Sequence, residues 1–410
     1  MKESDPDFGP ATRSAGVQRL ETFQPRMGIG YAAQRNHDCG PGRHDAVSRL
    51  SPYLRRRLLT EPEVIAAALA VHGPEAGEKF IQEVLWRGYF KGWLERRPQT
   101  WTAFVTGLNA DLAALRQDPA LTARVNAAEA GETGLACFDA WAHELTRTGY
   151  LHNHARMWFA SIWIFTLKLP WRLGADFFLR HLLDGDPASN TCSWRWVAGL
   201  HTRGKPYEAR ASNIAQFSGG RFAPRENELA ADVVGLMHEE PDGLPEVQPL
   251  RPVLAPQAGV PTALLLTEED CSIGPADIVP LDIRVAARFR ASGLRSSRPV
   301  SAAVAAFEDG ALEDTAARAG LATAALTAQE PESLAQWAQS AGARQIVMPY
   351  VPVGPLGDWM ARARPVLRGR GIAVAECQRE WDALVWPHAT AGFFKVKKRL
   401  PEILHKAGLA

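Results

Sequence analysis

The sequence has few cysteines, and their spacing excludes several kinds of site. The 410 residues include five cysteines with no CxxC pair among them, at Cys39, Cys137, Cys192, Cys271 and Cys377. A scattered, odd-numbered set argues against a disulfide framework, a zinc site and an iron–sulfur cluster. It also fits a reducing compartment, so we expect a cytoplasmic protein without a metal cluster.

The sequence also lacks a long hydrophobic run. The longest apolar stretch, at 157–170, is interrupted by Lys168 and is too short to span a bilayer. The N-terminus has no charged region followed by an apolar segment, which argues against a signal peptide. We therefore expect no membrane partner.

A net charge of one sign is missing too. The chain has 46 lysine and arginine residues against 45 aspartate and glutamate residues. Global attraction to nucleic acid is therefore excluded, and binding to phosphates would require a local basic patch. Two short basic segments, Arg55–Arg57 and Arg203–Lys205, are the ones that we expect to contact phosphates.

The first half of the chain has a helical pattern. Apolar residues recur at three- and four-residue spacing in five segments, at 64–71, 80–94, 104–115, 138–145 and 154–167. Alternating patterns typical of half-buried strands are nearly absent from this half. We therefore predict an all-α domain at 1–240.

The second half of the chain has a different sequence pattern. Prolines cluster at 241–257, which predicts a linker. Beyond it, TALLLT (262–267) and QIVMP (345–349) have the composition of buried strands, and 372–375 is a shorter third. Alanine-rich helical segments lie between these strands, and such alternation predicts a smaller α/β domain with a Rossmann-like parallel sheet at 258–410.

The segment Leu183–Trp196, LDGDPASNTCSWRW, mixes charge and indole in an unusual way. Asp184 and Asp186 are costly to bury without partners, whereas Trp194 and Trp196 favour an apolar or stacking surface. A planar cofactor with a polar edge, lying beside an aromatic ligand, would satisfy both requirements.

Two further segments have residues suited to binding, although each also has an ordinary explanation. In VSRLSPYL (47–54), hydroxyls and backbone N–H groups at a helix start could hold an anion, or could simply cap the helix. In FIQEVLWRGYF (80–90), Glu83 shares a helix face with Trp86 and Arg87. A surface ion pair beside a core tryptophan would explain that pattern as well.

These segments, taken together, resemble the FAD-binding domain of the photolyase/cryptochrome family. The likeness is carried by YAAQRN (31–36), VSRLSPYL (47–54), FIQEVLWRGYFK (80–91), GYLHNHARMW (149–158) and LDGDPASNTCSWRW (183–196), which follow one another in the family's order. The resemblance implies FAD as the cofactor. The residues that it implies in FAD binding are Tyr31, Arg35, Ser48, Arg49, Leu50, Ser51, Phe80, Arg87, Asn153, Arg156, Asp184, Asp186 and Asn190.

The resemblance also implies roles around the flavin. Arg156 would pair with Asp184 against the ring system, and Asn190 would face its reactive nitrogen and share the catalytic role with Glu83. Residues implied in binding a flipped-out lesion are Glu83, Trp86, Asn153, Met157 and Trp196. Trp194 and Trp171 match the first two positions of the family's electron-transfer chain to the flavin. The third position falls near Asp118, so another residue such as Trp163, Trp141 or Trp101 supplies that step, or photoreduction is slow. Core packing is the ordinary role of a tryptophan. His152 and His154 fall on different helix faces, so we expect no metal site from them.

The order of the domains is inverted relative to ordinary members, which carry an α/β domain first. This order resembles a bacterial photolyase-like subgroup associated with cyclobutane pyrimidine dimers in single-stranded DNA. We therefore expect a monomeric photolyase acting on UV-damaged DNA. A blue-light sensor of the cryptochrome kind and a light-independent flavoprotein are the alternatives. The segment at 386–404, which mixes aromatic and basic residues, either docks on the FAD domain or forms an exposed basic helix.

Overall fold

The computed structural model describes residues 8–409, which form two compact units. The first unit comprises Phe8, Ile29–Arg49 and Arg97–Val247. The second comprises Gly9–Gly28, Leu50–Arg96 and 248–409. Each unit draws on separate stretches of the chain, so the contacts group the chain differently from the predicted boundaries. The division at 240 and 258 stays a prediction, and residues 1–7 and 410 of it lie outside the described part.

Helices account for the regular structure of the described chain up to residue 260. They are α1 (Arg13–Phe23), α2 (Ile29–Gln34), α3 (Ser51–Arg55), α4 (Glu61–Ala76), α5 (Glu78–Glu95), α6 (Pro98–Gln117), α7 (Pro119–Ala130), α8 (Ala136–Thr148), α9 (Asn153–Ser161), α10 (Trp171–His181), α11 (Pro187–Val197) and α12 (Ala211–Phe217). Short 3-10 turns occur between some of them, and α9 continues into a π-helical turn at Ile162–Thr166. All five segments with a predicted helical pattern contain helix.

Strands and further helices follow in the second half. The strands are β1 (Pro261–Thr267), β2 (Asp282–Arg290), β3 (Ala324–Thr327), β4 (Gln345–Pro349) and β5 (Ala373–Cys377). The helices are α13 (Pro275–Ile278), α14 (Ala302–Arg318), α15 (Pro331–Ser340), α16 (Pro355–Gly369), α17 (Glu380–Val385), α18 (Phe393–Lys397) and α19 (Leu400–Lys406). The described residues are 56% helical.

The first unit has an aromatic core. The rings of Trp141 and Trp158 stack with centroids 5.4 Å apart, and Phe138 stacks on Phe159 at 4.2 Å. All four side chains are fully buried. Because large aromatic side chains each remove much apolar surface from water, these contacts between α8 and α9 fix the helices that carry the candidate site.

The second unit contains a parallel sheet in the order β3-β2-β1-β4-β5. The chain moves outward in one direction from β1 to β3 and then crosses to the other side for β4 and β5. Helices α15 and α16 cover an apolar face of the sheet, with Trp359 and Met360 in the core. The parallel sheet that the sequence predicts is confirmed, with two strands more than the three expected. Its strand order, which the sequence did not predict, is of the doubly wound type.

Helix α5 of the second unit is covered by the end of the chain. A Cβ added at Gly88 would lie 3.2 Å from Cγ1 of Val385, and one added at Gly92 would lie 2.8 Å from Cα of Trp386. The two glycines therefore leave the space that α17 and the following turn occupy. The segment beyond residue 380 thus packs against a helix of the predicted N-terminal domain. None of the described helices is long and apolar enough to cross a membrane.

Candidate functional site

The segment Leu183–Trp196 forms a buried turn and the helix α11 of the first unit. Asp186 is the N-cap of this helix, and its Oδ1 accepts hydrogen bonds from the backbone N–H groups of Ala188 and Ser189, both at 3.0 Å. Pro187 occupies the first helical position, where its missing N–H costs nothing. Asp186 is therefore buried because it caps α11, which is a structural role in addition to the predicted one.

The predicted pair of Arg156 and Asp184 forms in the first unit. Nη2 of Arg156 donates to Oδ2 of Asp184 at 3.0 Å, while Nε donates to the carbonyl oxygen of Leu151 at 2.8 Å. The guanidinium also lies 5.6 Å from the ring centroid of Tyr150, a geometry that favours a cation–π contact. These contacts fix the orientation of the arginine, with Asp184 buried and Arg156 half-buried.

Asn190 lies one turn into α11, with its amide held in one orientation. Its Nδ2 donates to the carbonyl oxygen of Ala175 on α10 at 2.8 Å. Because only the amide nitrogen can donate to that carbonyl, this bond assigns the two ends of the amide. In the described part of the chain, Oδ1 of Asn190 has no hydrogen-bond partner, so an acceptor remains available at this position.

A buried polar cluster of the first unit was not anticipated from the sequence. Nε2 of His44 lies 2.8 Å from Oε1 of Glu144, and Nδ1 of His44 lies 3.9 Å from Oδ1 of Asp38. Oδ2 of Asp38 is already bound by Trp141 Nε1 at 3.0 Å and by Arg221 Nη2 at 2.6 Å. The three residues are metal-ligating types, but the arginine on Asp38 competes with any cation. Their separation in sequence left no local signal.

His152 and His154 do not converge on a common point. Nδ1 of His152 accepts from the backbone N–H of His154 at 3.2 Å, and burial lowers the pKa of His152 to about 3. His154 stacks on Trp158 with centroids 4.1 Å apart, and its Nδ1 lies 2.9 Å from the carbonyl oxygen of Asn36. Both rings are thus held by neighbours within the first unit, and the arrangement matches the expectation that they occupy different faces.

The predicted anion-binding segment is divided between the units. Ser48 and Arg49 belong to the first unit, where Arg49 has a positive φ of 51° and its guanidinium lies 5.6 Å from the ring of Phe8. Leu50 and Ser51 belong to the second unit, where Leu50 occupies the N-cap position of α3 without a side-chain cap. Tyr31, inside α2, and Arg35, just beyond the end of α2, lie in the first unit.

Helix α5 of the second unit presents the remaining predicted residues of that unit. Phe80 is buried, with its ring 6.1 Å from that of Phe23. Nη2 of Arg87 donates to the carbonyl oxygen of Ser51 at 3.4 Å, a long bond. Glu83 and Trp86 are half-buried. The ring of Trp86 is not open on both sides, because the phenyl ring of Phe393 lies parallel to it.

The comparisons with known proteins identify the family of this part of the chain. Residues 80–224 match the family model described as the FAD binding domain of DNA photolyase. This region belongs to the photolyase/cryptochrome family. The cofactor of the domain is FAD.

Similar proteins cover part of the chain only. A deoxyribodipyrimidine photo-lyase of Streptomyces griseus is 36% identical over 163 residues, which are 40% of this chain and 34% of the relative. A deoxyribodipyrimidine photo-lyase of Thermus thermophilus is 35% identical over 211 residues, 49% of this chain and 45% of the relative. A solved cryptochrome of Synechocystis is 24% identical, covers 51% of this chain and 43% of its own, and has a TM-score of 0.43. The chain thus spans less than half the length of these relatives.

The side chains of the first unit fit one edge of a flavin. An isoalloxazine ring edge presents N–H donors next to carbonyl and ring-nitrogen acceptors, so a matching protein surface must offer both kinds of group. Arg156 offers donors, Asp184 offers acceptors, and Asn190 offers Oδ1. These residues of the photolyase/cryptochrome domain therefore suit the cofactor chemically.

The two tryptophans predicted for electron transfer have different ring neighbours. The ring of Trp194 lies 6.3 Å from that of Trp163, at an angle of 89°. Trp171 has Phe104 as its ring neighbour at 5.7 Å, and its Nε1 donates to Glu239 at 3.1 Å. All three tryptophans are buried. Trp163, one of the candidates for a further electron-transfer step, therefore lies beside Trp194.

The predicted lesion-binding residues of the first unit lie at or near its surface. Asn153 is exposed at the start of α9, and Met157 and Trp196 are half-buried. The ring of Trp196 lies 5.4 Å from that of Tyr207. These three residues are accessible, at least in part, as a contact with DNA requires.

One predicted DNA contact is wrong. Arg55–Arg57 are buried in the second unit, where each arginine pairs with an acidic side chain. Arg55 Nη2 lies 2.9 Å from Glu269, Arg56 Nη2 lies 3.0 Å from Glu268, and Arg57 Nη2 lies 2.6 Å from Asp382. Burial and its arginine neighbours lower the pKa of Arg56 to about 10, although Glu268 opposes this. These cations neutralise buried carboxylates and cannot contact phosphates. Arg203–Lys205, by contrast, are exposed.

Proposed function

We propose that this protein is a DNA photolyase that splits cyclobutane pyrimidine dimers, with single-stranded DNA as its preferred substrate. The observation that carries the proposal is the arrangement of Asn190 beside α10. Its amide nitrogen is committed to the carbonyl of Ala175, which leaves an oxygen acceptor for the cofactor. An acceptor favours a protonated ring nitrogen over an unprotonated one, and a fully reduced flavin provides such an N–H. Repair requires the reduced state.

The protein's own side chains would bind and orient the cofactor. The Arg156–Asp184 pair is held in place by the carbonyl of Leu151, so it would meet the flavin edge with little loss of side-chain entropy. Reduced FAD, when bound and excited by blue or near-ultraviolet light, supplies one electron to the dimer and accepts it again after the cyclobutane ring has opened. The other residues that the family resemblance implies in FAD binding would contact the cofactor as well.

The lesion would be bound by aromatic and polar side chains. Trp86 and Trp196 would stack on exposed bases, and such stacking contributes roughly 1–3 kcal/mol per base. Glu83 would hydrogen-bond a pyrimidine edge and stabilise charge on the dimer, while Asn153 and Met157 would line the site. Exposed basic residues, among them those at 203–205, would contact phosphates, which predicts salt-sensitive binding.

The preference for single strands rests on the order of the segments. The FAD-binding match at 80–224 precedes the parallel sheet, whose first strand begins at Pro261. This order supports the proposal of an inverted photolyase-like subgroup. A monomeric state and a cytoplasmic location are parts of the same proposal.

The decisive experiment is illuminated repair by the FAD-loaded, reduced protein. Oligonucleotides that carry one cyclobutane dimer would be compared as single and double strands, with dark samples as controls. We expect light-dependent loss of the dimer, faster for the single strand. Failure on both substrates by a protein that binds FAD would refute the photolyase function, and equal rates would refute the strand preference alone.

A blue-light sensor of the cryptochrome kind is the second candidate. The contact between Trp86 and Phe393 favours it, because a sensor needs no open surface for a lesion. A sensor would bleach reversibly under blue light with a reductant but would not repair dimers. A light-independent flavoprotein would show neither property, so the same protein sample distinguishes the three functions.

A further inference from the structure

The ring face of Trp86 is occupied by the end of the same chain. The rings of Trp86 and Phe393 have centroids 3.8 Å apart and planes inclined by only 8°. Tyr89 meets both rings edge-on, at 5.4 Å from Trp86 and 5.7 Å from Phe393. Phe393 is 4% exposed, whereas Phe394 is 69% exposed. The first phenylalanine therefore serves as the stacking partner of Trp86, and the second lies at the surface.

The segment that carries Phe393 is attached by buried apolar side chains and by exposed polar contacts. Trp386 and Val385 fill the space that Gly92 and Gly88 leave on α5. Beyond the turn at 389–392, α18 has only five residues. Lys397 of α18 forms an ion pair with Glu78 of α5 at 3.1 Å, and both side chains are partly exposed. Exposed ion pairs contribute little, so the attachment of α18 comes from its two buried side chains, Phe393 in the ring stack and Val396.

We call residues 393–399 the flap. Its sequence, FFKVKKR, combines two aromatic rings with four basic side chains. Lys395 bonds Thr390 and Arg399 pairs with Glu402, but both contacts are exposed and easily exchanged for phosphates. Proteins that bind single-stranded nucleic acid use this combination, because rings stack on bases while cations follow the backbone.

We propose that the Trp86 face is a stacking surface for one planar ring, and that a base of single-stranded DNA displaces Phe393 from it. The inference rests on the proposed function for the identity of the incoming base. The exchange replaces one stacked ring by another, and phosphate contacts of the flap compensate for the lost Lys397–Glu78 pair. Access of DNA to Trp86 is thereby coupled to release of the flap.

The first test needs no DNA. Amide hydrogen exchange at 393–399 would be measured in the FAD-loaded full chain and in Trp86→Ala. The stack predicts faster exchange in the variant, by several-fold, with α17 unchanged because its contacts at Gly88 remain. Equal exchange in both proteins would show that the ring does not hold the flap, and would overturn the proposal.

The second test measures the dissociation constants of two 16-nucleotide single strands, oligothymidylate without damage and the same strand with one dimer. Phe393→Ala removes the competing ring, and Phe393→Leu keeps apolar volume without a planar surface. Both should bind about threefold to tenfold more tightly than the natural protein, the range expected for one aromatic stack. Phe394→Ala is the matched control and should not bind more tightly.

The outcomes separate the two proposals. Weaker or unchanged binding by both Phe393 variants would mean that Phe393 is a fixed wall, and the displacement would be refuted even if repair is normal. Tighter binding by both variants without dimer repair by any of the proteins would refute the photolyase function and leave the stacking surface established.

Discussion

Replacing Arg57 by methionine tests the buried charge cluster of the second unit. Arg57 donates to both carboxylate oxygens of Asp382, at 2.8 and 2.6 Å. Its other acidic neighbours are Asp270 at 3.4 Å and Glu61 at 3.5 Å. All four side chains are buried. Methionine preserves much of the volume but removes the cation, so three carboxylates would remain in a region with little access to water.

We expect Arg57→Met to lose much unfolding free energy, because its three buried carboxylate neighbours have little contact with water. Removing one partner of a buried ion pair costs about 3–5 kcal/mol. Arg379 remains 2.7 Å from Asp270 and neutralises part of the cluster, so we expect the lower end, about 3 kcal/mol at pH 7.

The loss should depend on pH. Burial alone would raise the pKa of Asp270, but Arg57 and Arg379 outweigh it and hold this pKa below its usual value. The resulting stability is present above the unfolded-state pKa and is lost as pH falls through the folded-state pKa. Without Arg57 the pKa of Asp270 in the folded state rises, so this carboxylate is protonated at a higher pH in the variant. The difference in unfolding free energy between the natural protein and Arg57→Met should therefore become smaller below about pH 5.

The assay is equilibrium unfolding in urea, followed by circular dichroism at pH 7 and at pH 4.5. Arg203→Met is the control, because Arg203 is exposed and donates to the carbonyl oxygen of Glu240 at 2.9 Å. The control should change stability by less than about 0.5 kcal/mol. A loss in Arg57→Met no larger than in the control would refute the buried-partner assignment and reinstate Arg57 as a candidate for phosphate contact.

Three further predictions address repair, electron transfer and packing. Glu83→Ala should lower the yield of dimer repair while FAD stays bound, and an unchanged yield would remove its proposed role. Trp163→Phe should slow photoreduction of oxidised FAD more than Trp171→Phe, because Trp163 has a ring contact with Trp194, the first tryptophan of the implied chain. The opposite order would support the route that the family resemblance implies, from Trp194 to Trp171. Gly92→Ala should cost about 1–3 kcal/mol of unfolding free energy, since its Cβ would lie 2.8 Å from the C-terminal segment. Gly369→Ala, whose Cβ meets no atom within 4 Å, should cost clearly less in the same urea titration.

The sequence predicted the fully buried strands better than the partly exposed ones. β1 and β4 are apolar and buried along nearly their whole length, so composition alone identified them. β2 carries three arginines, at 284, 288 and 290, that interrupt its apolar pattern, and β3 has only four residues, mostly exposed at the sheet edge. An edge strand buries little apolar surface, so its sequence carries little of the usual strand signal.

In the candidate site, too, the sequence predicted local features but not contacts between residues far apart in the chain. The cap formed by Asp186 follows from the local Asp–Pro sequence, which is typical of a helix start. The Arg156–Asp184 pair followed from the family resemblance. The stack of Phe393 on Trp86 joins residues far apart in the chain, and the π-helical turn that brings Trp163 near Trp194 is likewise a product of packing. No local pattern encodes such contacts.

The buried arginines have a consequence for how this chain tolerates rearrangement. Arg55 and Arg56, two consecutive cations, meet Glu269 and Glu268, two consecutive anions in the loop after β1. The pairs run antiparallel, so inserting or deleting one residue beside either pair of consecutive charges would misalign both ion pairs at once. A chimera that exchanges the sheet with that of another protein must therefore carry both segments together. Each segment is complementary in charge and spacing to the other, and another charged segment would not replace it.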